Sequence, residues 1–299
     1  QLSQTGRGRS TFADMIVRTA VLEGKFPKIS RAGGETEQWP TGYIPYIFGV
    51  KFLLYLEETY GVESVKEFTR LTGREYFPFY PFAPRFNSKA KKVFGGKSFY
   101  KLWDDWQVSL ARDFGEEKTR LTEMGLTEIE RLTTHGSSTT TPRVSPDGKK
   151  VVYSSYNGKG PSSIRLMDID GKKDKSVISK FTADGFGWTP DSKVFAFGTE
   201  KLWSDYYVWS DVYSWHVDEK RLTRLTRGAR ARTPDYRPDG TSLLFVTNDT
   251  SNNDLATLKV DQSLTWWTNE KTFTQYSTPR WNPDGTIGAV SAWMPGGYR

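Results

Sequence analysis

A short motif that recurs at regular spacing places the strongest constraint on what this chain can fold into. The motif is Pro-Asp, followed by Gly in three of four copies, with its prolines at 146, 190, 238 and 283, about 45 residues apart. Proline presets φ and Asp-Gly favours a tight reversal. Segments rich in β-branched and aromatic residues follow, such as "KKVVYSS" and "TSLLFVT". The pattern predicts a turn and a strand that repeat four times.

Each repeat contains further strand-like segments. A later stretch ends in aspartate, as in "SIRLMDIDG" and "DLATLKVDQ", and a stretch such as "RLTRLT" precedes the next copy. About four short strands in about 45 residues is the period of a propeller blade. Ser192 replaces the glycine in the second copy, and we expect the turn to tolerate it. We interpret the repeated aspartates as turn formers, because their spacing matches no calcium-binding pattern.

Residues 1–118 show helical periodicity instead. In the first helix, Thr11 and Asp14 together resemble a capping box, which predicts Thr11 as the N-cap. Its inner face is predicted to comprise Phe12, Met15, Ile16 and Thr19. The segment "YIPYIFGVKFLLYLEETYG" is apolar nearly all round, which predicts a buried helix, with Gly49 permitting close packing. A last helix is predicted to have Ser98 as its N-cap, and its inner face is predicted to comprise Phe99, Leu102, Trp103, Trp106 and Leu110.

Composition excludes several function classes. The chain has no cysteine, so disulfides, thiol catalysis and cysteine-zinc sites are excluded. The net charge of +7 is mild and spread along the chain, including in "KRLTRLTRGARAR", so no nucleic-acid partner is expected. No apolar run is long enough to predict a membrane span. The fold class is therefore multidomain, with a helical domain at 1–118 and an all-β propeller at 119–299.

The repeats resemble a known family. "RLTTHG" followed by "TPRVSPDGKKVVYSS" is similar to the PD-motif β-propeller repeats of the TolB type, found in periplasmic and secreted bacterial proteins. Propellers of that type have about six blades, whereas about four are represented here. Since an incomplete propeller leaves unpaired strand edges, we expect this chain to be a fragment of a larger protein, or a ring that a partner completes.

The helical region resembles a second family. The order "WPTGYIPYIFGVKFLLYLEETYG" then "GKSFYKLWDDWQVSL" is similar to the C-terminal half of gluzincin metallopeptidases of the peptidase MA-like group. The resemblance implies that Tyr46 could donate a hydrogen bond to the oxyanion of the transition state. Zinc peptidases also need an H-E-x-x-H motif, and this chain lacks one. We therefore expect no cofactor in this chain. Two alternatives stay open: the parent protein binds zinc through ligands upstream of residue 1, or the protein never had these ligands.

An aromatic cluster is the strongest candidate binding site. Residues 202–216 are unusually rich in aromatic side chains, and the second repeat is the longest, which predicts a hairpin that extends beyond the blade. The candidate binding residues are Trp203, Tyr206, Tyr207, Trp209, Tyr213 and Trp215. The alternative is that these rings pack between blades. His135 and His216 are far apart in sequence and are not expected to bind a metal, so the predicted metal ligands are none.

These observations favour a secreted, periplasmic or outer-membrane-associated propeller protein that acts as a binding scaffold and is catalytically incomplete as given. The expected partner is another protein or the remaining segment of the same protein. A first alternative is a zinc metallopeptidase whose ligands lie upstream and whose site includes Tyr46. A second alternative is a structural component of a surface assembly.

Overall fold

The computed structural model describes residues 7–34, 41–73, 84–135, 138–179, 181, 183–203, 206–248, 252–269, 272, 274–294 and 297–298. The chain forms two compact units, Gln1–Ile129 and Glu130–Arg299. Residue 118, which marks the end of the helical domain in the sequence-based division, lies within a helix that continues to Glu123.

Six α-helices form the described part of the first unit. They are α1 (Thr11–Leu22), α2 (Ile29–Ala32), α3 (Ile44–Tyr60), α4 (Val62–Gly73), α5 (Pro84–Val93) and α6 (Phe99–Glu123). The core of this unit is strongly aromatic. Trp103 and Trp106 of α6 meet edge to face, with ring centroids 5.0 Å apart, and the Trp103 indole N–H donates to the Pro27 carbonyl at 3.0 Å. Edge-to-face aromatic pairs add to the gain from burial alone.

The helix caps confirm one sequence prediction and correct another. Ser98 is the N-cap of α6, and its hydroxyl oxygen accepts from the Lys101 backbone N–H at 3.2 Å. The cap of α1 is Ser10 and not Thr11, because Ser10 has extended backbone angles and its hydroxyl oxygen accepts from the Ala13 N–H. The predicted inner face of α1 is accordingly only partly correct. The buried residues of α1 are Ala13, Ile16 and Val17, whereas Phe12 is 50% exposed.

Close packing of α3 depends on a different glycine from the one predicted. A Cβ atom added at Gly49 would meet no atom within 4 Å, so Gly49 is not required for packing. A Cβ atom added at Gly8 would instead collide with the side chain of Val50. The short 3-10 turn Arg7–Arg9 therefore lies directly against α3. Among the described residues, no helix is both long and apolar enough to cross a membrane.

Four antiparallel sheets, each with its strands in chain order, form the second unit. Blade 1 comprises β1 (Ser138–Val144), β2 (Lys150–Tyr156), β3 (Ser163–Asp168) and β4 (Lys175–Ser179). Blade 2 comprises β5 (Phe186–Trp188), β6 (Val194–Trp203), β7 (Tyr207–His216) and β8 (Arg221–Arg224). Blade 3 comprises β9 (Arg232–Tyr236), β10 (Ser242–Thr247), β11 (Asp254–Lys259) and β12 (Leu264–Trp266). Blade 4 comprises β13 (Gln275–Trp281), β14 (Gly288–Met294) and β15 (Gly297–Tyr298).

The first strand of each blade contacts the first strand of the next, so β1, β5, β9 and β13 form the inner row. This arrangement confirms the predicted fold class of a helical domain followed by propeller blades, which form an open row in the described residues. Three inner strands have a register shift at a threonine with left-handed backbone. These threonines are Thr141, Thr233 and Thr278, with φ of 52°, 50° and 48°.

The repeated Pro-Asp-Gly segments form turns that stack from blade to blade. A Cβ atom at Gly240 would lie 3.3 Å from Pro190 of the preceding turn, and one at Gly285 would lie 3.3 Å from Pro238. Ser192 occupies the equivalent position in blade 2 with φ of 61°. Its hydroxyl oxygen accepts from the Asp147 backbone N–H of blade 1 at 3.0 Å. The hydrogen bond between blades compensates for the strained backbone of this serine.

The aspartates of these turns are turn formers, as predicted. Each side chain accepts from the backbone N–H two residues further on, as Asp147 does from Lys149 at 3.1 Å and Asp239 from Thr241 at 2.9 Å. A serine or threonine hydroxyl also donates to each carboxylate. These hydroxyl bonds, followed by the backbone bonds, lower the pKa of Asp147, Asp191, Asp239 and Asp284.

Two glycines let blade 2 approach the backbone of blade 3. A Cβ atom at Gly187 would lie 2.7 Å from the Pro234 carbonyl oxygen, and one at Gly198 would lie 2.7 Å from the Arg232 Cα atom. Both glycines face β9, the inner strand of blade 3. Any larger residue would push the two sheets apart, because the opposing atoms belong to the backbone and cannot rotate away.

Candidate functional site

The hairpin β6–β7 is the most exposed apolar feature of blade 2. Each of its strands has ten residues, whereas β10 and β11 of blade 3 have six each. At about 3.3 Å per residue, four extra residues extend a hairpin by about 13 Å. The exposed apolar side chains near its end are Leu202 (65%), Tyr206 (87%), Tyr207 (59%) and Val208 (60%). We call these four residues the hairpin tip.

The six aromatic residues predicted to bind a partner occupy different environments. Tyr206 and Tyr207 belong to the hairpin tip, and the ring of Tyr207 lies 6.1 Å from that of Trp209. Tyr213 is 6% exposed in the blade core and stacks on Phe197. Trp215 is partly buried and packs against the same core. The side chain of Trp203 lies outside the described residues. The structure brings together Tyr206, Tyr207 and Trp209 and places Tyr213 and Trp215 with the packing residues.

Two basic side chains flank the hairpin. The guanidinium of Arg230 lies over the Trp209 ring at 4.4 Å and also donates to the Asn248 carbonyl at 3.4 Å. The ammonium of Lys201 lies over the Phe181 ring at 4.4 Å. Cation–π contacts of this kind stabilise by about 0.5–1 kcal/mol at exposed sites. The hairpin therefore has an apolar tip with two basic side chains nearby, Lys201 next to Leu202 and Arg230 over Trp209.

Tyr46, the predicted oxyanion donor, lies in the first turn of α3 and is 70% exposed. The structure does not place His135 and His216 together. His135 lies 3.3 Å from the Tyr153 hydroxyl and 3.5 Å from the Asp174 carboxylate, whereas His216 lies beside Glu219. Among the described residues, no group of three His, Cys, Asp or Glu side chains could hold a metal ion. The described residues therefore do not fit the zinc that the peptidase resemblance implies.

A charged cluster on the inner strands is absent from the sequence-based predictions. Arg143 of β1 donates to Asp235 of β9 at 3.2 Å, although blade 2 lies between their blades. Arg280 of β13 lies 3.8 Å from the same carboxylate oxygen. The other oxygen of Asp235 accepts from the Trp281 backbone N–H at 2.9 Å. We call Arg143, Asp235 and Arg280 the inner-strand cluster.

The sequence contains a signal for this cluster. The three residues follow Thr-Pro directly in "TPR", "TPD" and "TPR" of the first, third and fourth repeats. The corresponding position of blade 2 is Gly187, which packs against the β9 backbone beside Asp235 and contributes no side chain to the cluster. Equivalent positions of neighbouring blades converge on the propeller axis, so a charged residue there meets its counterparts.

Burial dominates the electrostatics of this cluster. The Asp235 side chain is 6% exposed, and its burial raises its pKa even though two arginines lie beside it. Burial also lowers the pKa of Arg280, to which repulsion from Arg143 contributes. The cluster holds a buried carboxylate beside two positive charges on partly exposed side chains.

Comparisons with known proteins find partial similarities and assign no family. No family model matches it. An uncharacterized protein of Agrobacterium fabrum is 31% identical over 122 residues, and the chain spans 40% of that protein's length. Among solved structures, TolB from Acinetobacter baumannii is 20% identical with a TM-score of 0.47, over 54% of this chain and 40% of that one.

Two further solved structures give similar values. A TolB candidate from Agrobacterium tumefaciens is 25% identical with a TM-score of 0.44, over 56% of this chain and 66% of that one. An oligogalacturonate lyase from Vibrio parahaemolyticus is 12% identical with a TM-score of 0.40, over 52% of this chain and 46% of that one. All these TM-scores are below 0.5. The strand pairing of this chain itself defines the blade architecture described above.

Proposed function

We propose that this chain is a propeller-type binding scaffold and that the hairpin tip of blade 2 docks on a partner protein. The observation that carries the proposal is the exposure of four adjacent apolar side chains at the end of an extended hairpin. A chain gains nothing from exposing such a group to water, since burial of apolar surface stabilises by about 25 cal/mol per Å². Exposed apolar groups of this kind are typical of interaction sites.

The composition of the hairpin favours a protein as the partner. Tyrosine supplies a large contact area with few rotatable bonds and a polar hydroxyl, and it is enriched among the residues that dominate binding energies in protein interfaces. Arg230 over Trp209 and Lys201 next to the hairpin tip complement acidic groups around an apolar pocket. The expected partner surface is therefore an apolar pocket with an acidic rim.

Site-specific photo-crosslinking tests this proposal. A benzophenone amino acid replaces Tyr206 in one variant and Tyr207 in another, and the cells that express the protein are irradiated. The matched control has the same amino acid in place of Val260, which is 75% exposed at the β11–β12 turn of blade 3. We expect a discrete crosslinked species at the hairpin positions and none at position 260.

A competition experiment identifies the contribution of the tip. The partner identified by crosslinking is purified and bound to the wild-type chain carrying a label. Unlabelled wild type or a Tyr206→Ser/Tyr207→Ser variant is then added as competitor. Loss of two tyrosine anchors is expected to weaken competition by about 100-fold, since each such side chain contributes about 1–2 kcal/mol or more. Equal crosslinking at positions 206 and 260, or equal competition by the variant, would contradict the proposal.

A zinc peptidase parent remains a second candidate, favoured by the exposure of Tyr46 at the start of α3. Its test is peptide hydrolysis by the full-length parent protein. A Tyr46→Phe variant is expected to lose about 100-fold in kcat while binding substrate normally, with Tyr100→Phe, also exposed but on α6, as the control. Hydrolysis that does not depend on Tyr46 would rule out its role.

We further infer a periplasmic, outer-membrane-associated or secreted location. The TolB-type resemblance and the absence of cysteine support this inference. Fractionation of the cells with an antibody against the chain tests it, and recovery with cytoplasmic markers would refute it. If the protein is instead a structural component of a surface assembly, the crosslinks should join it to the same partner along several blades and not only at the hairpin.

A further inference from the structure

The inner-strand cluster carries more positive charge than its own carboxylate neutralises. Arg143 and Arg280 are brought to the same oxygen of Asp235 from blades 1 and 4. Asp235 supplies one negative charge against two positive charges. Charges at a protein surface attract counter-charges more strongly than charges in bulk water do, so the partly exposed arginines favour one additional anion.

Most hydrogen-bond donors of the two guanidinium groups have no acceptor within the described residues. Each guanidinium has five N–H donors. The acceptors found for them in the described part of the chain are the Asp235 carboxylate and the Pro279 carbonyl, to which Arg280 donates at 3.0 Å. Guanidinium groups with free donors form paired hydrogen bonds with carboxylate and phosphate oxygens. The unused donors therefore match an oxyanion.

The surroundings leave room for such a group. The Arg143 side chain is 42% exposed and that of Arg280 is 31% exposed, so both remain accessible. Two residues near the cluster, Gly185 and Gly187, are glycines. A Cβ atom at Gly185 would lie 3.6 Å from a terminal nitrogen of Arg280, and Gly187 lies beside Asp235. No side chain of these two positions covers the guanidinium groups.

We propose that Arg143 and Arg280 form a binding site for an oxyanion, a carboxylate or phosphate group of a ligand that approaches along the inner strands. Asp235 positions both arginines and competes with the ligand for their donors. The site is separate from the hairpin tip, and its role does not depend on the docking function proposed above.

Titration of the whole chain with small oxyanions tests the site. Sodium phosphate and sodium acetate serve as probes at neutral pH, with sodium chloride at matched ionic strength as the reference. The reporters in ¹⁵N NMR are the Trp188 indole N–H, which donates to the Arg143 carbonyl, and the Trp281 backbone N–H, which donates to Asp235. We expect saturable shifts of both signals with at least one probe and no comparable shifts with chloride.

The variants give opposite directions of change. Arg143→Gln and Arg280→Gln are each expected to weaken binding by about tenfold, because each removes charge-assisted hydrogen bonds. Asp235→Asn is expected to strengthen binding several-fold, because the competing negative charge is removed. The matched control is Arg221→Gln, at an exposed arginine of β8 that bonds to Glu219, and its affinity should equal that of wild type. Circular dichroism confirms that each variant is folded.

Each result of the titration bears on the proposal. Shifts with phosphate alone support a phosphate ligand, shifts with acetate alone support a carboxylate ligand, and shifts with both support a general oxyanion site. The proposal is overturned if neither probe shifts the reporters beyond the chloride reference. It is also overturned if binding is unchanged in both Arg143→Gln and Arg280→Gln. Because Arg143 is the more exposed arginine, its variant keeps the test decisive if Arg280→Gln unfolds.

Discussion

The contact between blades 2 and 3 depends on two glycines, and replacing either with alanine should destabilise the blade unit. In Gly187→Ala the new methyl group would lie 2.7 Å from the Pro234 carbonyl oxygen and 2.8 Å from the Asp235 Cα atom. In Gly198→Ala it would lie 2.7 Å from the Arg232 Cα atom. Carbon atoms in contact are normally about 3.5–4.0 Å apart, so β9 must move by about 1 Å.

The expected loss follows from the cost of overpacking. Added methylene-sized groups in a packed interior destabilise by about 1–3 kcal/mol. The upper end of this range applies here, because the opposing atoms are backbone atoms of a strand that is bonded on one side to β10. A loss of about 2–3 kcal/mol corresponds to a fall in Tm of about 5–10 °C for a unit of this size. Hydrogen exchange of β5, β6 and β9 should also accelerate, since these strands form the interface.

Thermal unfolding with hydrogen-exchange mass spectrometry measures both effects. The matched control is Gly160→Ala, because a Cβ atom there meets no atom within 4 Å and Gly160 does not have a positive φ. We expect this variant to lie within about 0.5 kcal/mol of wild type, as surface substitutions usually do. If Gly187→Ala and Gly198→Ala are as stable as Gly160→Ala, the close approach of the two sheets is not a constraint on the fold.

Three further predictions concern stability. Asp211→Ala should destabilise the blade unit by about 3–5 kcal/mol in chemical denaturation, because the buried carboxylate accepts from Arg224, Thr226 and two backbone N–H groups; a loss below about 1 kcal/mol would contradict this role. Ser98→Ala should destabilise the helical unit by about 1 kcal/mol through loss of its cap, and Ser98→Asp should restore most of the loss. Acid titration should destabilise the blade unit as the pH falls below about 4, because the folded-state pKa of each turn aspartate lies below its unfolded value. The contribution of each aspartate to stability is present above the unfolded pKa and is lost as the pH falls through the folded-state pKa. Replacing all four turn aspartates with asparagine should weaken the dependence of stability on pH, and an unchanged acid midpoint would refute the prediction. The four positions are Asp147, Asp191, Asp239 and Asp284.

Local patterns in the sequence predict the blades well, because a turn needs the same residue types wherever it occurs. Pro-Asp-Gly sets a reversal that depends on a few neighbouring residues, so the position of every blade follows from the motif. The N-cap of α6 is equally local. The predicted N-cap of α1 is wrong by one residue, because the hydroxyl oxygens of Ser10 and Thr11 can both accept from a helical N–H. Which of the two is the N-cap depends on where the helix begins.

Features that depend on contacts between blades are harder to predict. The periodicity of "YYVWSDVYSWH" does not show that Tyr213 lies in a core while Tyr206 lies in water, because that difference depends on how far the hairpin extends beyond the blade. The inner-strand cluster joins residues far apart in sequence. It becomes visible only when the repeats are superposed, because each member is an ordinary charged residue within its own strand.

The stacked turns determine how far the blades can be exchanged. In blades 3 and 4 the turn glycine lies close to the proline of the preceding turn, and this contact alone does not distinguish one neighbouring blade from another. Blade 2 differs, because Ser192 bonds to a backbone N–H of blade 1 and has a backbone conformation that serine adopts only at a cost. A gene rearrangement that moved blade 2 away from blade 1 would keep the strain and lose the bond. This contact therefore ties blade 2 to its place after blade 1.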